Sequence, residues 1–116
     1  MQKPLVVTFR GVPRTKGIED IIRGKVAKLE QVCSYIISCS VAVEKPQLHQ
    51  KKGNPFRVRI DLRVPHNHEI IVERKCTEGS MHDPLPKIVR RAFDAAGLAL
   101  QNLVQIQRGR FRVHSA

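Results

Sequence analysis

The chain has 116 residues, which is one domain by size, and its 21 Lys and Arg against 10 Asp and Glu give a formal net charge of +11. A chain of this length buries roughly two-thirds of its unfolded surface, so it needs no metal or disulfide framework to fold; Cys33, Cys39 and Cys76 form no CxxC pair, which fits a reducing compartment. No segment reaches the length of a membrane span and "MQKPLVV" opens no signal peptide, so a cytoplasmic protein is expected, with a polyanion such as nucleic acid as the partner that the charge favours.

"LVVTFRGV" (5–12) is β-branched and stops at Gly11 and Pro13, as a strand does. A helix follows. Ile18, Ile22, Val26, Leu29 and Cys33 recur at helical spacing, with Ile21 widening the stripe. Thr15 is placed to cap it, and Glu19 and Asp20 suit its positive end. "IISCSVAVE" (36–44) alternates Ile37, Cys39, Val41 and Val43 against polar or small residues, which predicts a second strand. The turn-rich stretch "KPQLHQKKGNP" carries Lys45, Lys51 and Lys52.

"FRVRIDLRV" (56–64) alternates without a fault. Phe56, Val58, Ile60, Leu62 and Val64 share one face, and Arg57, Arg59, Asp61 and Arg63 the other. "PHNH" (65–68) is a hairpin connection, and "EIIVERKC" (69–76) is the fourth strand. Asp83 and Pro84 read as the cap and first residue of a long second helix ending near Arg108. Its apolar positions include Leu85, Ile88, Val89, Ala92, Ala96, Ala99, Leu103 and Ile106. "GRFRVHSA" (109–116) has no clear period and reads as a basic tail after a single domain of residues 1–108.

The predicted order is β-α-β-β-β-α, an α+β fold with a four-stranded mixed sheet. The helical connection allows the first two strands to run parallel, and the last three form a meander. Both amphipathic helices cover one face, and the other stays open to solvent. That open face carries Arg10, Arg57, Arg59, Arg63 and Lys75 against Glu44, Asp61 and Glu73. Its arginines therefore read mainly as members of cross-strand charge pairs, and most of the excess positive charge lies elsewhere.

No catalytic constellation emerges. "HNHE" places His66 and His68 two apart beside Glu69, but a metal site needs further convergent ligands, and His49 or His82 would have to arrive by chance. A turn is the simpler reading. Cys33 sits at a core position, and no Gly-rich phosphate loop is present. With one Tyr, no Trp and four Phe, stacking on RNA bases has little support, and binding is expected to rest on phosphates and shape.

The "KVAKLEQ" run (25–31), the capping Thr15, and Glu78-Gly79 ahead of the Asp that opens the last helix resemble the ribosome hibernation-promoting factors, also called ribosome-associated translation inhibitors or sigma-factor modulation proteins. The likeness spans roughly residues 4–107, with the family's Met-Tyr replaced here by Pro84-Leu85. The resemblance implies a fold similar to a double-stranded RNA-binding domain, and a non-enzymatic protein without cofactor. It implies binding to small-subunit rRNA in the decoding region, where mRNA and tRNA are then excluded under stress. The chain looks like a short form, expected to be monomeric, or like one domain of a longer parent.

Family position directs attention to Arg23, Lys25 and Lys28 on the first helix and to Lys87, Arg90 and Arg91 on the second, with Arg108 at its end. Their bland reading is a solvated helix face; their functional one is neutralisation of rRNA phosphates. Beyond Arg91 that face continues with Asp94, Leu98, Gln101 and Gln105. Two other classes compete with the ribosome reading: a general binder or chaperone of double-stranded RNA, and a regulator that docks an acidic protein.

Overall fold

The computed structural model describes residues 1–45, 56–75 and 84–115, with side chains described up to residue 108. The elements are β1 (Val6–Arg10), α1 (Lys16–Val32), β2 (Ser38–Glu44), β3 (Arg57–Val64), β4 (His68–Lys75) and α2 (Leu85–Ser115). They form an α+β fold whose four-stranded sheet has the order β1-β2-β3-β4. β1 runs parallel to β2, while β3 is antiparallel to both neighbours.

Alternation decides which face is buried. Cys39, Val41 and Val43 of β2 and Val58, Ile60, Leu62 and Val64 of β3 are all buried. They join one core with Ile18, Ile22, Val26 and Leu29 of α1 and with the apolar side of α2. A one-residue slip of β3 would carry its arginines into that core, so burial itself fixes the register.

α1 begins as its sequence requires. The Thr15 hydroxyl accepts a hydrogen bond from the Ile18 amide at 3.3 Å, and the Thr15 carbonyl takes the first helical bond from Glu19. Arg14 holds the preceding segment: it pairs with Glu19 at 2.7 Å, donates to the Val7 carbonyl and lies 4.8 Å over the Phe9 ring. Gly11 turns the chain out of β1 at φ +70°, where a Cβ would stand 2.6 Å from the Lys45 carbonyl oxygen.

The β3–β4 hairpin turns through His66 and Asn67, at φ 68° and 61°. Two successive positive φ values match the twist of the flanking strands. Asn suits that conformation well, and His is also enriched there among non-glycine residues.

α2 differs from expectation in two respects. It continues to Ser115, through the stretch 109–115 that the sequence suggests is an unpatterned tail. Leu85, Ile88, Val89, Ala92 and Ala96 are buried as the pattern predicts, with Phe93 beside them, but in the C-terminal half Leu100 and Val104 are buried whereas Ile106 is 56% exposed. Ala99 and Leu103 are only half-buried. Both sets are apolar at helical spacing, and packing against β4 and α1 selects between them.

Candidate nucleic-acid interface

On the open face of the sheet each strand-3 arginine meets a carboxylate on a neighbouring strand. Arg57 lies 3.2 Å from Glu44, Arg63 lies 3.0 Å from Glu69, and Arg59 lies 4.0 Å from Glu73. The register places these partners directly opposite one another. Glu69 is the addition: it opens the predicted fourth strand with the same parity as Glu73 and Lys75, and it is the first outward carboxylate of β4. The face then holds five cations against four carboxylates. It is close to neutral, and its three central guanidinium groups are already engaged.

The helices carry charge differently. Among the described residues, Arg23, Lys25, Lys28 and Arg90 make no ion pair. They do not form one cluster. At 3.6 residues per turn, Lys25 and Lys28 stand about 60° and 120° from the centre of α1's buried stripe on one side, and Arg23 about 100° on the other. Lys25 and Lys28 line the groove against α2, so Arg23 faces away from that helix. On α2, Arg90 shares a column with Gly97, Gln101 and Arg108, on the flank turned to α1, and Lys87 shares one with Asp94 and Leu98. Arg91 is half-buried, about 100° round from Arg90 and about 40° from Lys87. Lys87 and Arg91 both have partners in the fold.

The groove is a feature of about 370 Å³ that the linear sequence does not announce. α1 and α2 run in the same direction, with Leu29 beside Gly97 and the Tyr35 hydroxyl donating to Gln107 Oε1 at 2.9 Å. Gly97 has no side chain to fill the gap, since a Cβ there would only touch Leu29 Cδ2 at 3.7 Å. Asp94, Leu98 and Gln101, read along the chain as interruptions of a basic face, line the α2 wall opposite Lys25 and Lys28. A glycine in mid-helix is the one sequence signal that could have pointed here.

Several candidates fall outside the described residues: Lys51 and Lys52, His49 and His82, Cys76, the Glu78-Gly79 approach and the capping Asp83. The side chains of the basic stretch 109–116 also lie outside the described residues. Among the described residues, no group of three or more His, Cys, Asp or Glu is arranged to hold a metal ion, and no helix is long and apolar enough to cross a membrane. Cys33 and Cys39 are both buried, and burial, with Asp61 and Glu30 adding to it, pushes the Cys39 thiol up to about 12.

Comparison with known proteins gives a consistent frame. The family model described as sigma 54 modulation protein / S30EA ribosomal protein matches residues 5–103. The structure is similar to the N-terminal domain of Thermus thermophilus Protein Y, with TM-score 0.66 and 18% identity, covering 89% of this chain and 99% of that one. It is also similar to a ribosomal subunit interface protein from Coxiella burnetii, with TM-score 0.69 and 13% identity, covering 87% and 97%. At these identities the structural likeness speaks to the fold. No curated protein matches the sequence significantly.

Proposed function

The chain belongs to the sigma 54 modulation protein / S30EA ribosomal protein family, and we propose that it is a ribosome-associated translation inhibitor. In this reading it binds small-subunit rRNA in the decoding region and excludes mRNA and tRNA under stress. It acts by occupancy and has no catalytic step. The observation that carries the reading is the division of charge. The three arginines of β3 are each paired with a carboxylate, while Arg23, Lys25, Lys28 and Arg90 on the helices make no ion pair among the described residues. Unpaired lysines and arginines on a rigid helical scaffold can neutralise phosphates at little desolvation cost, and each such contact releases counterions.

Lys25, Lys28 and Arg90 form the central contact set, at and beside the groove. Arg23 contacts a separate stretch of backbone, since it projects from the far side of α1. Lys87, Arg91 and Arg108 extend the contacts along α2.

The test is co-sedimentation of the protein with purified small subunits across a salt series, beside sucrose-gradient fractionation of stationary-phase lysate. Binding that weakens steeply with salt supports the reading. Absence from ribosomal fractions even at low salt refutes it. Equal affinity for a plain RNA duplex would favour the general RNA binder instead. Unchanged association after Lys25, Lys28 and Arg90 are all replaced by Glu would favour a protein partner.

A further inference from the structure

The inter-helix groove holds an arrangement that phosphate binding does not explain. Lys25 and Lys28 line its α1 wall and Asp94 its α2 wall, yet no ion pair closes across it. Opposite charges that face one another without meeting leave a dipolar slot. A carboxylate on a surface meant only for phosphates would oppose binding through like-charge repulsion, so Asp94 calls for a partner with hydrogen-bond donors. Apolar surface lines the slot beside these charges: Leu98 is 61% exposed, and Leu29 and Phe93 also line it.

A nucleotide has the same polarity, with an anionic phosphate at one end and base-edge donors at the other. Resting on the RNA-binding reading above, we propose that the groove receives one unpaired guanine of the bound RNA. The lysines take its flanking phosphates. Leu98 and the groove floor cover a face of the ring. Asp94 accepts hydrogen bonds from the base edge.

Guanine is singled out by donor count. An ionised carboxylate offers two acceptor oxygens and no donor. Guanine's pairing edge carries two adjacent donors, N1–H and the N2 amino group, which a carboxylate can engage together. Adenine and cytosine present a single amino group beside a ring-nitrogen acceptor, and uracil a single imino group between two carbonyls. Unpaired bases are read on these edges. The proposal adds one point of base reading to an interface otherwise made of phosphate contacts.

The experiment measures fluorescence anisotropy with uridine hexamers carrying one central G, inosine, A or C, against the full chain at low salt. The G hexamer should bind at least about fivefold more tightly than the others, and inosine, which lacks the N2 amino group, should fall between. Asp94→Asn should abolish the preference and leave affinity for the uridine hexamer unchanged or slightly higher. Gly97→Ala, whose methyl makes only ordinary contact with Leu29, should narrow the groove and weaken the preference without unfolding the protein. Equal affinity for all hexamers, binding to none, or a preference that survives in Asp94→Asn overturns the guanine assignment. Free GMP competing as well as the G hexamer overturns it too, in favour of a soluble nucleotide. Co-sedimentation with ribosomes, run in parallel, reports separately on the functional reading.

Discussion

Replacing Arg57, Arg59 and Arg63 together by Gln separates a structural ladder from an RNA surface. The three pairs are unequal. Arg57–Glu44 is the most sheltered, with Glu44 only 17% exposed, whereas Arg63 is 62% exposed and Arg59–Glu73 is long at 4.0 Å. Exposed pairs contribute little and sheltered ones somewhat more, so roughly 1 kcal/mol belongs to the first and a few tenths to each of the others. The Arg57 Nε is buried without a partner, so its removal offsets part of the loss. A total of about 1.5 kcal/mol corresponds to a fall in Tm of roughly 5–10 °C for a domain of this size. Thermal unfolding should show that fall at low salt and a smaller one in 1 M salt, where exposed pairs are screened. Ribosome binding should keep the slope of its salt dependence. Were all three arginines phosphate contacts, the slope would lose about 2 units, at roughly 0.7 for each contact. A slope change of that size, with the fold intact by circular dichroism, would refute the assignment of the arginines to the sheet.

Other perturbations test the helices and the core. Changing Lys25, Lys28 and Arg90 to Glu should weaken co-sedimentation with small subunits by roughly tenfold or more at moderate salt, with little change in unfolding temperature. Gly24→Ala should stabilise α1 by about 1 kcal/mol in chemical denaturation, because a Cβ there meets nothing within 4 Å; a destabilised variant would contradict the exposed setting of that helix face. Gly11→Ala should cost at least about 2 kcal/mol, since the new Cβ meets a backbone carbonyl at positive φ, and an unchanged midpoint would refute the tight turn. Cys39 makes alkaline pH unfavourable: its thiol is raised from 9.0 to about 12 in the fold, so the unfolded chain releases this proton first. Its contribution is intact below about pH 9 and lost as pH rises from there toward about 12. Relative to the native chain, Cys39→Val should flatten the pH dependence of the denaturation midpoint in that window.

Residues whose environment is set by their own neighbours along the chain were legible. The alternation of 56–64 identified β3 and its buried set, because a strand has only two faces and one of them was wholly apolar. The stripe from Ile18 to Leu29 and the Thr15 cap identified α1 for the same local reason. Charge counting on the open face came close and missed Glu69, although it shares the parity of Glu73 and Lys75 on the same strand. α2 was the least legible element. Leu98, Ala99, Leu100, Leu103, Val104 and Ile106 are apolar on more than one side of the helix, and periodicity alone does not say which side docks.

Composition and local periodicity thus settled the element order, the mixed sheet with one covered face, and the surplus of positive charge. They could not settle the pairing of side chains distant in sequence. Strand register joins Arg63 to Glu69 and Arg57 to Glu44 and so removes the most conspicuous basic run from the set of free cations. Helix packing brings Asp94 of α2 into the same groove as Lys25 and Lys28 of α1. Both outcomes depend on burial of apolar surface across the whole domain, which fixes how each helix is rotated and how each strand is aligned. The charges follow wherever that burial carries them.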